Sequence, residues 1–350
     1  MQNDNAVVDT RELLDIPTVR GTSFDDLYTK SMEIQSLCSD YMMTDVGRES
    51  MRFCADSGKL IYRPDEPHNL RRSELTRYAM SQLCNKLGVP IRYFEKCVDT
   101  GRLDLAEENI NSWIPDYNRS LFIREYDNKI RGVLSDRYMT LDTPEILTVL
   151  DDVIDGKNYS TKGYFLSPER FHARVVQNEM MNIDGEDLFA GVQIDSSDVG
   201  RSTLLVRFMI FKLVCTNGLT VSKGDGILFM QRHIGISADD FRNTFEESMQ
   251  RIPLLMDNAK EFIELARKDT KKFNLTSFSE SEMKDFTDSL KLKTRLSDEA
   301  MGKVIEMMQE KYTTTRWGLV NSLTEVAQDY TLERRVEIEK IAGDILLQVA

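Results

Sequence analysis

The chain is poor in the residues that most often perform chemistry. Only three histidines occur among 350 residues, His68, His172 and His233. None has a spaced metal partner, so no zinc site is expected. The five cysteines (Cys38, Cys54, Cys84, Cys97, Cys215) are odd in number and show no close pairing. That pattern favours reduced thiols in a cytoplasmic protein over a disulfide scaffold. Neither a Gly-Lys-Ser/Thr phosphate loop nor a Gly-x-Ser-x-Gly nucleophile turn is present, and no serine or cysteine has an obvious local base. The residues therefore predict no catalytic group, no metal and no cofactor, and a non-enzymatic role is expected. Long apolar runs are also missing. The longest, Thr203 to Cys215, is interrupted by Arg207 and Lys212 and is too short to span a bilayer. Met1 to Asp15 carries Asp4, Asp9 and Glu12 with no apolar core, unlike a signal peptide.

Positive charge is scarce as well. The formal net charge is -13. Residues 1–118 hold 14 Lys and Arg against 20 Asp and Glu, residues 119–235 hold 14 against 16, and residues 236–350 hold 17 against 22. No third is basic. A nucleic acid would have to be held by a local groove rather than by the overall field.

What is present is pattern. The first third, 1–118, reads as mainly helical. Ser23 caps a helix reaching Leu37, Ser73 caps another ending at Gly88, Pro90 opens a third, and a fourth runs from Leu103 to Trp113, with one short strand near Leu60–Tyr62. The middle third, 119–235, changes period to strands. Two of them flank Asp127-Asn128, a hairpin turn, and six strands with one helix are expected to form a single, mainly antiparallel sheet. Leu204, Val206, Phe208, Ile210 and Val214 should be buried, and the strand should turn at Asn217 and Gly218 with Cys215 inward. The last third, 236–350, is helical. It begins with a long helix from Ser237 to Lys268 kinked at Pro253, and 273–285 (FNLTSFSESEMKD) reads as a flexible linker. The predicted fold class is α+β: a central antiparallel sheet flanked by N-terminal and C-terminal helical segments.

One stretch joins opposite characters. Residues 194–219 (IDSSDVGRSTLLVRFMIFKLVCTNGL) mount an acidic turn on an apolar strand. The turn reads as a hairpin loop, with Arg201 and backbone N–H groups near Gly200 as an anion-binding alternative. Asp136, Asp195 and Asp198 are set aside as metal ligands, since acidic turns are usually just solvated. Arg170, His172 and Arg174 share one strand face, and Arg124, Arg131 and Arg137 lie on neighbouring strands. An arginine-lined sheet face suits a phosphate backbone, so the candidate nucleic-acid-binding set is Arg124, Arg131, Arg137, Arg170, His172, Arg174 and Arg201. The competing reading pairs these cations with the sheet's own acids. Trp317 and Asn321 read as packing, with ligand recognition as the rival.

The segments IRGVLSDRYMTLDTPEIL, DSSDVGRSTLLVRFMIFKLVCTNGL, QRHIG and RWGLVNSLTEVA, with YAMSQLCNKLGVPIRYFEKC upstream, resemble a family of uncharacterised proteins of phages, prophages and plasmids, known as a domain of unknown function. The resemblance covers roughly residues 70–345. It implies a mobile-element accessory protein in the cytoplasm of a bacterial host. One expectation is a homo-oligomer that binds or anneals single-stranded DNA in recombination or replication. The other is an effector that binds a host protein.

Overall fold

The computed structural model describes residues 18–47, 50–55, 59–62, 70–154, 159–183, 185–212, 217–220, 227–233 and 237–347. The fold is α+β, with two sheets among these residues. After strand β1 (Val19–Gly21), helix α1 (Phe24–Ser36) starts where Ser23 accepts a hydrogen bond from the Asp26 N–H. Strands β2 (Cys38–Met43), β3 (Met51–Cys54), β4 (Lys59–Tyr62) and β5 (Arg71–Leu75) follow. Helix α2 (Arg77–Lys86) is capped by Thr76, whose hydroxyl accepts from the Ala79 N–H. Helices α3 (Ile91–Asp99) and α4 (Leu103–Trp113) lead into the hairpin of β6 (Leu121–Tyr126) and β7 (Lys129–Ser135). Asp127 and Asn128 both take positive φ, 46° and 61°, which is the geometry of a tight two-residue turn between twisted strands.

These strands form the first sheet, ordered β2-β6-β7-β5-β4-β3. All neighbours are antiparallel except β5 and β7, where Glu74 faces Lys129 and Leu75 faces Ile130 in parallel. Residues 119–235 do not form the single sheet expected of them. β6 and β7 leave the central third and pair with strands from the part read as helical. Ser73, expected to cap a helix, lies inside β5, where its hydroxyl bonds buried Glu125.

The second sheet is the larger. Helix α5 (Thr143–Ile154) precedes β8 (Tyr159–Leu166), β9 (Phe171–Ile183), β10 (Glu186–Ser196), β11 (Leu204–Lys212), β12 (Asn217–Thr220) and β13 (Ile227–Gln231). The order is β1-β8-β9-β10-β11, all antiparallel, and then β12 and β13 share one edge of β11. β12 covers Met209–Lys212 and β13 covers Leu204–Arg207. Asn217 and Gly218 are thus strand residues rather than a turn, while Val214 and Cys215 lie outside the described residues.

The remaining chain is helical: α6 (Ala238–Gln250), α7 (Ile252–Lys268), α8 (Glu280–Thr294), α9 (Asp298–Glu310), α10 (Arg316–Val326) and α11 (Leu332–Leu346). The expected kink at Pro253 is a break. Proline fits the first turn of α7, where its missing N–H costs nothing, so one helix ends at Gln250 and another starts. The expected linker is also structured: Phe273 and Leu275 are buried, and Ser279 and Glu282 form a capping box for α8. No helix of the described residues is long and apolar enough to cross a membrane.

Helices and second sheet close on one core. It includes Leu147 and Leu150 of α5, Val192 and Ile194 of β10, Phe208 and Ile210 of β11, Phe241 and Phe245 of α6, and Trp317 and Leu323 of α10. Leu204, Val206, Phe208 and Ile210 are all buried, as the apolar strand implies. Phe208→Ala should lower stability by about 3–5 kcal/mol, the cost of emptying a large aromatic from a packed interior. Urea unfolding measures this, and an unchanged midpoint would remove Phe208 from the core.

Candidate functional site

The acidic turn of residues 195–201 proves to be the joint between the two sheets. Arg124, on β6, is fully buried. Its Nε and Nη2 donate to the two oxygens of Asp40 on β2, each at 2.9 Å. Nη1 and Nη2 donate to Asp142 at 2.7 and 2.5 Å, and Nη1 also reaches the Asp198 carbonyl at 2.6 Å. All five guanidinium N–H groups are thereby used. Burial works against the charge, yet Asp142 and Asp40 more than restore it. Beside it Arg131, on β7, lies 3.5 Å from Asp198 and donates to the Pro168 carbonyl. Asp198 accepts from the Thr143 N–H and hydroxyl at 3.2 and 3.0 Å. Burial, with Asp142 as a like-charged neighbour, pushes the Asp198 carboxyl up to about 6.

The turn is shaped by its own side chains. Ser197 Oγ accepts from the Val199 and Arg201 N–H groups and donates to the Glu169 carbonyl. The Gly200 N–H donates to the Ser197 carbonyl, and Gly200 holds φ at 73°. The backbone donors expected to greet an anion at the rim are therefore consumed inside the loop. Gln82 of α2 clamps both sheets, donating to the Val199 carbonyl and accepting from the Val133 N–H. Gly132 of β7 allows this approach, since a Cβ there would lie 3.0 Å from Val199. A polar turn stands on an apolar strand because the turn enters a polar, buried joint.

A second network lies within the larger sheet. His172 Nδ1 donates to Asp195 at 2.8 Å, and Arg207 and Gln193 donate to the other Asp195 oxygen at 2.7 and 2.9 Å. Burial holds the His172 imidazole below its usual range. Burial alone would raise Asp195, but its hydrogen-bond donors hold it down at about 2. Arg174 is buried against Glu339 of α11, which Arg335 also engages at 2.8 Å. Ser196 and His233 sit 3.3 Å apart, a spacing that suits a nucleophile and its base. His233 Nδ1 has no partner to orient it among the described residues, Ser196 is buried, and burial holds His233 down at about 4. The ring instead stacks on Tyr138 at 5.5 Å.

The seven residues proposed from sequence thus separate. Arg124, Arg131, His172 and Arg174 are buried in ion pairs or hydrogen bonds, as the competing reading has it, because each finds an acid or carbonyl on another element. Arg170 lies partly buried over the Phe165 ring, 5.4 Å from its centre. Arg201 pairs with Glu169 at 3.0 Å and covers the Tyr78 ring. Arg137 alone of the seven is exposed, in the turn after β7. Asp195 and Asp198 belong to different networks, and Asp136 is on the surface near Arg137.

Arg137 has companions that the sequence did not reveal. With Lys86 at the end of α2 and Arg119 before β6 it lines an open cleft of about 500 Å³, completed by Asn85, Tyr117, Ser120, Ser135 and Asp136. None of the three cations forms an ion pair with a described residue, although Asp136 lies near Lys86. Partial burial, with Arg119 nearby, lowers the Lys86 ammonium from its usual value. The convergence follows from the hairpin. Leu121 pairs with Ser135, so residues just before β6 lie beside those just after β7. Tyr78, Gln82 and Lys86 share one face of α2, about 12 Å from end to end, so Arg201 over Tyr78 stands at the opposite end of the helix from the cleft.

Trp317 and Asn321 are packing residues. The Trp317 indole donates to Glu186 at 3.1 Å, and Asn321 donates to the Trp317 carbonyl and accepts from Lys212.

Comparison with known proteins gives one match. A family model described as a domain of unknown function (DUF932) fits residues 131–343, from β7 into α11, and so takes in the turn of residues 195–201, strands β8 to β13 of the larger sheet and the C-terminal helices, but not β1. No curated protein and no solved structure matches. Since the fitted span is more than half of the chain, the protein belongs to the DUF932 family.

Proposed function

We propose that the protein binds the phosphate backbone of single-stranded DNA at the Lys86–Arg119–Arg137 cleft, as an accessory to recombination or replication on mobile DNA. One observation carries this: three cations and a single acid, Asp136, converge on an open cleft in a chain that is acidic elsewhere. Local positive potential of that kind is what a phosphate needs when the overall field is repulsive. Tyr117, half-buried on the cleft wall, offers a ring to an unpaired base. Ser120 and Ser135 offer hydroxyls to phosphate oxygens. The mobile-DNA setting comes from the resemblance of residues 70–345 to proteins of phages, prophages and plasmids.

Fluorescence anisotropy with a labelled oligo-dT strand tests the reading. The parent should bind at low salt and weaken as salt rises. The triple change Lys86→Ala, Arg119→Ala and Arg137→Ala should flatten the logarithmic salt slope by about 2, at about 0.7 per phosphate contact on a single strand. These side chains are exposed or half-buried, so the fold should survive. Failure of the parent to bind at low salt would end the nucleic-acid reading and turn attention to a protein partner.

A further inference from the structure

The first sheet has two edges, and they are finished differently. At β3, side chains of α4 occupy the backbone groups. Asn111 accepts from the Phe53 N–H and donates to the Phe53 carbonyl, both at 2.8 Å, imitating a neighbouring strand. Glu107 accepts from the Ala55 N–H at 2.9 Å. An edge capped in this way cannot recruit another strand. At β2, six residues pair with β6 on one side, and among the described residues no strand pairs with the other. The usual devices that blunt an edge are charge, proline, brevity and bulges. β2 has no proline, its register with β6 is unbroken, and its one acid, Asp40, is neutralised by Arg124. Apolar side chains stand exposed at both ends of the strand, Leu37 at 50% and Met42 at 37%.

We propose that β2 pairs antiparallel with β2 of a second copy of this chain, joining two six-stranded sheets across a two-fold axis. The occupant follows from the complementarity of the edge with itself. An antiparallel pair about a two-fold axis uses the same surface on both partners, so one uncapped edge suffices. That arrangement brings Leu37 of each copy to the Met42 end of the other, covering both exposed apolar side chains at once. A net charge of -13 on each copy opposes association in general, so the contact needs a locally neutral strip. β2 provides one. The inference rests on the sheet edge and does not depend on what the cationic cleft binds.

Sedimentation across a dilution series, combined with amide hydrogen exchange, tests this. The parent should reach twice the 40.4 kDa of one chain, and amides of residues 38–43 should gain protection as concentration rises. Ser39→Lys with Met42→Lys places charge on exposed positions of the strand and should raise the dimer dissociation constant at least about tenfold, as edge lysines block strand pairing. A parent that stays monomeric at tens of micromolar overturns the proposal. So does a dimer in which residues 38–43 exchange as freely as in the monomer, which decides the matter even if the double variant does not fold.

Discussion

Arg124→Ala should cost about 3–5 kcal/mol of stability, the usual effect of breaking a buried ion pair and leaving its partners unpaired. Two carboxylates lose their donors at once, because Asp40 and Asp142 both depend on this one guanidinium, while the Asp198 carbonyl keeps only the Tyr138 hydroxyl at 2.9 Å. Asp198 then keeps Arg131 at 3.5 Å, and buried Asp142 loses the guanidinium it pairs with. Arg124→Lys should recover little, since an ammonium cannot fork onto two carboxylates. Urea unfolding of the two variants beside the parent measures the effect. A loss under about 1 kcal/mol for the alanine variant, the scale of an exposed pair, would show that the joint is solvated in solution.

His233→Phe should remove an acid-sensitive component of stability and keep the stack on Tyr138. Burial holds His233 down at about 4 in the folded chain, against an ordinary value of 6.5. The unfolded chain therefore binds more protons below pH 6.5. Stability from this group is fully present above pH 6.5 and is lost as pH falls from 6.5 to about 4, by roughly 3 kcal/mol at 1.36 kcal/mol per unit. Asp198 acts in the opposite sense. Its carboxyl, raised to about 6, makes the folded chain the stronger proton binder between 3.8 and 6, so it adds stability as pH falls through that window. Urea midpoints measured from pH 7 to pH 4 should thus fall less steeply for His233→Phe than for the parent. For Asp198→Asn they should fall more steeply. Parallel curves for all three proteins would mean that neither group is shifted by the fold.

Much of the architecture was legible where the signal is local. Ser23 and Ser237 announce helix starts, Asp127-Asn128 announces a hairpin, and the apolar residues of β11 announce a buried strand. The assembly of the first sheet was not legible. β2 and β5, with sequences CSDYMM and RRSEL, are short and polar, and β5 joins β7 in a parallel pairing that no adjacent turn foretells. What the arginines meet was not legible for a related reason. A charge alternating along a strand looks the same whether it meets water or an acid from elsewhere, and Glu339 lies 165 residues from Arg174. Lys86 sits on a helix and Arg119 in a loop, so neither advertises the cleft. Extending the register outward from the Asp127-Asn128 turn sets Arg119 opposite Asp136, and only the bulge between Arg124 and Glu125, which the sequence does not announce, moves it onto Arg137.

The spacing of Arg124's partners along the chain also sets an order of events. Asp40 lies 84 residues before it and Asp198 lies 74 after it. The guanidinium is enclosed only once β2 has joined β6 and the turn after β10 has been brought across from the other sheet. Loop closure over such distances is opposed by chain entropy until other contacts have formed, so this is a late step on the route to the native chain. Interactions made after the barrier leave the folding rate almost untouched and act on the reverse rate. The joint of residues 195–201 is then chiefly a brake on unfolding: it contributes to how long the two sheets stay together rather than to how fast they find each other.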